Sequence, residues 1–397
     1  MREVNRRPSP LVLAGIVLLA LNLRPAAASV GPLLPEIRRG MGLGTFETAL
    51  LVALPAFAFA FFSMTGPALA RRFGVHRATL LALFAIAIGL FARVLADDAW
   101  VFLLLSTIAL GGAAAVSNLL PVLVLLHYPD RLGTLAAPYS RMLSIGFATA
   151  AAFTVPIAHS DGGWRTGVGI WGALALLAAI PWLPLIRQDL VLAPIPRTIT
   201  LVQMIRTRSC QQFSLLFSLQ LLQTWVMIGW LPTLWREHGY HPGGAGVLMG
   251  VLALCTVPFT LWLPALVGAR RDPRRALIVV GLCFPLGDAL VLLAPHAAAV
   301  PVAIVLGVAT ISFPMSLSLI IRHAHSRDVA LSLAGVAQTV GYFVAGLGVL
   351  GFGLLHLHLA SWGWPMGLLL VLALPIPLLA ARAASPSSVE DQLSVAV

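Results

Sequence analysis

Apolar stretches of about twenty residues follow one another along nearly the whole chain, each divided from the next by a short link that carries arginine. A run of that length crosses the hydrocarbon of a bilayer as a helix. Only helices and closed barrels satisfy every backbone N–H and C=O in lipid, and a barrel strand alternates apolar with polar residues over roughly ten positions. These runs do not alternate, so the spans are helices. Charge content agrees. Only 10% of the 397 residues are charged, against about 25% in a soluble chain, too few to coat a water-facing surface.

Twelve spans are expected, at 11–35, 46–70, 78–96, 99–126, 132–158, 165–186, 210–235, 244–268, 276–295, 298–321, 329–355 and 362–381. Arg2, Arg6 and Arg7 before Leu11, with Ala26, Ala27 and Ala28 further on, resemble a cleavable leader. The apolar stretch nevertheless continues through Val30, Leu33 and Leu34, which makes it an uncleaved first helix. All 25 basic residues are arginine, and in this layout 18 of them fall on the side of the N-terminus and only Arg38, Arg39, Arg165 and Arg236 on the other. The positive-inside rule then puts both termini in the cytoplasm of a multi-pass inner-membrane protein. The net charge of +11 is thereby a topology signal, and no nucleic-acid partner is expected.

The longest internal connection, 187–208, contains Pro194, Pro196 and four arginines, and the sequence on either side of it echoes. Ala70, Arg71 and Arg72 recur as Ala269, Arg270 and Arg271, an offset of 199 (270 − 71), and Asp130 corresponds to Asp328, an offset of 198 (328 − 130). Pro32 and Pro35 at the end of span one match Pro232 at the end of span seven. A duplicated six-helix unit accounts for all three. The expected architecture is all-α, with twelve transmembrane helices in two pseudo-symmetric six-helix bundles: 1–186, a cytoplasmic linker 187–208, and 209–397.

Several segments carry a resemblance. They are Leu23, Arg24 and Pro25 with Val30 to Pro35; Asn118 to Pro121 with Tyr128 to Arg131; Trp230 to Thr233; and Leu333 to Tyr342, which holds Gln338, Thr339, Val340, Gly341 and Tyr342. Through these the chain resembles the major facilitator superfamily and, within it, the cyanate/nitroimidazole permease family, over nearly its whole length. The resemblance implies a secondary transporter working by alternating access on a small anion such as cyanate or a small nitrogen heterocycle such as a nitroimidazole. It also implies that Arg71, Arg72, Arg270 and Arg271, in the loops after helices two and eight, contact the cytoplasmic gate. Two positions depart from the pattern. Arg71 stands where the superfamily usually has an acid, and Arg141 where helix five would carry an apolar or small residue.

Ionisable residues inside spans are the informative ones in lipid. Arg24, Arg93 and Arg141 remain after the loop and terminal arginines are removed, and Asp288 is the one acid clearly within a span. Arg24 lies about 20 Å into its helix and Arg141 about 15 Å into its own, both near mid-membrane. A guanidinium stays charged and grips an oxyanion through two parallel hydrogen bonds, so the pair forms a candidate anion site. The structural alternative is that one of them ties helices together through backbone carbonyls or Asp288. Asn22, Asn118, Gln220, Gln223, Gln338 and Tyr342 lie at comparable depth and extend the site; interhelical hydrogen bonds are their plainer reading. Arg93, four residues before Asp97, is expected to snorkel to the outer surface. For Asp288, on a helix that is peripheral in the resembled fold, a proton-carrying role and a structural role both stay open.

Other signals carry no chemistry. Gly167-x-Gly169-x-x-Gly172 and Gly346-x-Gly348-x-x-Gly351 match a dinucleotide fingerprint in letters only, because neither follows a strand. His323 with His325, and His356 with His358, lack a third metal ligand in the sequence, and Cys210, Cys255 and Cys283 are far apart. Neither cofactor nor metal is expected, nor an enzyme. The expected partners are a small-molecule substrate, the lipid bilayer and a co-transported or exchanged ion. An exporter of the multidrug or nitroimidazole type is the alternative, and a non-transporting receptor a weaker one.

Overall fold

The computed structural model describes residues 10–128, 132–189, 191, 200–259, 272–385 and 388–394. Among these, twelve helical spans are long and apolar enough to cross a bilayer, and no strand occurs. The first six are α1 (Pro10–Met41), α2 (Thr45–Phe62), α3 (Val75–Arg93), α4 (Ala99–His127), α5 (Ser140–Ser160) and α6 (Gly163–Arg187). The last six are α7 (Arg208–Glu237), α8 (Pro242–Phe259), α9 (Arg274–Leu293), α10 (Ala299–His323), α11 (Asp328–Leu359) and α12 (Gly363–Ala383). Leu95, Leu293, Ile321 and Trp364 are more than two-thirds exposed, the apolar outer face that a lipid environment requires.

The first span is not one straight helix. Its leading segment, Pro10–Asn22, ends just before Arg24, and Pro25 opens a new short turn. A proline has no N–H to donate and is tolerated in the first turn of a helix, so Pro25 ends one segment and starts the next. The Arg24 carbonyl is still satisfied, accepting from the N–H groups of Ala27 at 3.1 Å and Ala28 at 3.0 Å. A tighter turn, Gly31–Leu33, then leads into Leu34–Met41. Broken backbone at membrane depth survives only where protein covers it, and here residues 25 to 28 and 31 to 34 are all buried.

Contacts between the first six and the last six spans gather at the arginine-poor end and along the membrane middle. Gly31 lies against α7 so closely that a Cβ there would stand 2.5 Å from the Ile228 carbonyl oxygen and 3.4 Å from Pro232. Pro232 thus packs across the seam against Gly31, the neighbour of Pro32. Gly229 of α7 takes the Val52 side chain of α2 in the same way. Further in, Gly346 of α11 lies against the Phe57 ring of α2, and Ser144 of α5 hydrogen-bonds Thr256 of α8 at 2.9 Å. Toward the arginine-rich end the picture changes. Asn118, Pro121 and Arg141 are exposed, and a Cβ on Gly335 would meet nothing within 4 Å. Among the described residues, the seam is closed at one end and open at the other.

Arg93 departs from expectation. It is fully buried rather than snorkelled, donates from Nη2 to the Val168 carbonyl at 3.2 Å, and lies 6.0 Å from the Phe102 ring centroid. The reason is that Asp97 already has a partner. Arg165 of α6 reaches it at 2.8 Å and also donates to the Val94 carbonyl at 3.0 Å. Arg93 is thus left to join α3 to α6 from within.

The close approach at Gly31 predicts that Gly31→Val destabilises the protein by about 1–3 kcal/mol through overpacking. Thermal unfolding of the purified protein in detergent checks this through a lowered Tm.

Candidate functional site

Arg24 sits at the break in α1, half-buried, and enters no ion pair among the described residues. Its guanidinium acts electrostatically on the Tyr342 hydroxyl, which places α11 opposite the break. An aromatic cluster continues from there. The Phe59 ring of α2 stacks on Tyr342 at 5.2 Å and 29°, and lies 5.9 Å from Trp225 of α7. Phe313 of α10 meets Tyr342 edge-on at 6.4 Å. Spans from both sides of the seam therefore supply the rings.

The polar groups around this cluster are donors in want of acceptors. Asn22 is 1% exposed and its Nδ2 has no acceptor; Trp225 is 2% exposed and its Nε1 has none either. A buried donor left unsatisfied costs about 1–3 kcal/mol. Two such donors with a guanidinium and a phenol form a surroundings that favours a ligand rich in acceptor atoms and, because of Arg24, a negative one. Trp225 also borders a small void at the seam with Val30, Gly31, Val52 and Pro55.

Not every expected residue joins this group. Gln220 is fully buried, but its Nε2 donates to Ser312 at 2.5 Å and Ser316 at 3.1 Å, tying α7 to α10. Asn118 is exposed and donates to the Ser63 carbonyl at 2.8 Å, holding α4 against the end of α2. Gln338 is half-buried, one turn before Tyr342. Arg141 is exposed on α5, three residues before Ser144. Residues three apart share a helix face, and Ser144 meets α8 of the other side, so Arg141 lies on the side of α5 that faces the seam. Arg71 is half-buried and Arg72 exposed beyond α2, while Arg270 and Arg271 lie outside the described residues.

Three features were not anticipated from the sequence. Phe59, central to the aromatic cluster, looked like any other phenylalanine of an apolar run. At the closed end, Arg236 of α7 grips Glu36 of α1 in a two-pronged pair, Nη1 to Oε2 at 2.8 Å and Nη2 to Oε1 at 2.5 Å. Its Nη1 also donates to the Pro32 carbonyl at 2.7 Å. This fork latches one side of the seam to the other through charge-assisted bonds. At the opposite end, Asp189 just after α6 accepts from the backbone N–H groups of His76 and Arg77, and the His76 Nε2 lies 2.9 Å from the Nε2 of His127. That cluster pins the segment after α6 to α3 and α4. Complementary charges 200 residues apart, Glu36 and Arg236, were the only signal available for the latch.

Glu36→Gln keeps the shape of the latch and removes its charge. A cysteine placed at Val52, buried behind the contact, is expected to react about tenfold faster with an impermeant maleimide from the arginine-poor side, equivalent to about 1.4 kcal/mol of lost closure. Labelling rates in the two backgrounds measure it.

Comparison with known proteins places this geometry in a family. The model of the Major Facilitator Superfamily matches residues 15–346. The chain is 32% identical over 349 residues to the 2-nitroimidazole transporter of Escherichia coli (strain K12), covering 87% of this chain and 88% of that protein. It is 28% identical over 336 residues to the cyanate transport protein CynX of the same organism, covering 84% and 86%. It is 29% identical over 353 residues to the uncharacterized transporter YycB of Bacillus subtilis (strain 168), covering 87% and 86%. In fold it is similar to the nucleoside transporter NupG, with a TM-score of 0.75 at 14% identity over 94% of this chain and 98% of that one. It is a membrane transporter rather than an enzyme, and the chain belongs to the Major Facilitator Superfamily.

Proposed function

We propose that this transporter moves a small anion, of the cyanate or simple carboxylate kind, by alternating access, with Arg24 as the principal substrate contact. The observation that carries the reading is an arginine at a helix break near mid-membrane, unpaired with any acid among the described residues and faced by further donors. An intramembrane charge without a partner marks a substrate path, and helix breaks are where transporters of this architecture form their sites. Arg141 stands at the same seam nearer its open end and serves as the entry contact. Tyr342 and Gln338 supply hydrogen bonds from the other side, and Asn22 supports Arg24. Asn118 and Gln220 act on the site through helix packing.

In this reading 1–186 and 209–397 are the two bundles that rock about the site, joined by the linker 187–208. The positive-inside rule puts the arginine-rich end and both termini in the cytoplasm. The structure is then the inward-facing state, with the Glu36–Arg236 latch closing the periplasmic side. Arg71 and Arg72, with Arg270 and Arg271, would contact the gate when the cytoplasmic side closes.

A second reading has its own observation. Phe59, Tyr342 and Trp225 offer stacking faces, which suit a small planar heterocycle, and a relative is named for 2-nitroimidazole. An exporter of such compounds would use the same pocket in the opposite direction.

Uptake of labelled cyanate and simple carboxylates into proteoliposomes separates the two. The anion reading expects saturable flux in wild type, lost about a hundredfold or more in Arg24→Ala and partly retained in Arg24→Lys, a truncated charged contact being worth about 3 kcal/mol. Unaltered flux in a folded Arg24→Ala protein removes Arg24 from the site. Movement of a labelled nitroimidazole but of no anion selects the second reading.

A further inference from the structure

Asp288 belongs to none of this. It lies on α9, five residues before the end of that span, and is fully buried. Neither carboxyl oxygen has a hydrogen-bond donor, and no charged side chain among the described residues acts on it. The polar side chain next to it is Gln223 of α7. The Nε2 of Gln223 donates to the Leu369 carbonyl at 2.9 Å, which sets the orientation of the amide. Its Oε1 has no donor either. Both carboxyl oxygens are thus buried without a hydrogen-bond partner, and among the described residues Gln223 is the one polar side chain that acts on them.

The same carboxyl opens on a narrow cavity shared with Met227, Trp230, Phe352, Trp362 and Leu369. It has room for about one water molecule. Trp230 Nε1 on its wall is buried and without an acceptor, so a water there has a donor to meet. The far wall, Trp362, donates to Glu237 Oε2 at 2.6 Å and stacks on His356 at 3.6 Å. Glu237 is exposed at the arginine-poor end. The cavity therefore lies between Asp288 and a wall tied to that surface.

We infer that Asp288 is a proton-binding site, fed through this cavity from the arginine-poor end, and that its loading couples proton movement to transport. A bare carboxylate here would carry an unpaired charge in a low-dielectric interior. One proton removes that charge. A hard cation is the poorer occupant, because it needs about six oxygen ligands and Asp288 offers two. The step is a proton transfer alone: a cavity water delivers a proton to the carboxylate, the O–H bond forms, and the proton later leaves to water with no other bond changed. Loaded together with a monovalent anion, it makes the cycle electroneutral. That last clause rests on the anion reading; the binding site does not.

Two measurements test it. Infrared spectra of the reconstituted protein, recorded without substrate across a pH titration, should show the C=O stretch of a protonated carboxyl that shifts in D2O. The band should be missing from Asp288→Asn and altered in frequency in Gln223→Leu, which removes the polar side chain beside the carboxyl. Spectra of wild type and Asp288→Asn that coincide in this region overturn the inference. In flux, an acid-outside gradient of one pH unit should speed carrier-dependent cyanate uptake about tenfold in wild type, and the stimulation should vanish in Asp288→Asn and return in part in Asp288→Glu. Equal stimulation in wild type and Asp288→Asn, or uptake that follows a sodium gradient instead, overturns the coupling. If no anion moves in wild type, the anion reading fails, and the infrared result still decides whether Asp288 binds a proton.

Discussion

Hydrocarbon offers no partner to a backbone N–H or C=O, and everything distinctive in this chain follows from that constraint. It makes each apolar run a helix. It also means that wherever the helix is interrupted, some other part of the protein must cover the interruption. The break at Arg24 and Pro25 is the main case. It is tolerated because α5, α4 and α7 pack over it, and in the proposed reading it turns a guanidinium toward the substrate. The tight turn at Gly31 serves the same end, since only a residue without a Cβ lets α1 approach α7 closely enough to seal the closed side.

Charge is then spent sparingly and by position. At the closed end an arginine and a glutamate meet in a fork with a backbone carbonyl as third partner, so the pair is hydrogen-bonded as well as neutralised. At the centre an arginine is left without an acid, among donors without acceptors. Within the last six spans a buried carboxyl is left without a hydrogen-bond partner. Satisfied pairs hold a conformation. Unsatisfied groups of opposite character, donors in one place and acceptors in another, are what an anion and a proton would each complete.

Much of the fold was legible in the residues. Runs of apolar side chains set the number of spans, and the arginine distribution ordered their ends. The Arg24-Pro25 pair marked the break, because proline cannot continue a helix hydrogen-bond ladder. The site was legible only in part. Arg24 and Tyr342 stood out by type and depth, and the structure brings them within electrostatic range of each other. Gln220 and Asn118 stood out in the same way, yet one is tied to Ser312 and Ser316 and the other to a carbonyl of α2, because a polar side chain's type does not say which way its helix is turned. Arg93 misled for a related reason: its natural neighbour in sequence, Asp97, is taken by Arg165 from α6. Phe59 gave no signal at all, being one phenylalanine among several in its span.

The sequence by itself determined that this is a twelve-span helical membrane protein, and which few ionisable groups lie inside it, because bilayer thickness and backbone hydrogen bonding act on each segment locally. Only the tertiary structure decided which of those groups face the seam, which face a neighbouring helix, and which end of the seam is shut. Those outcomes depend on the rotation of each helix about its own axis and on contacts between residues some 200 positions apart, as in Glu36 with Arg236, and no local pattern in the chain encodes them.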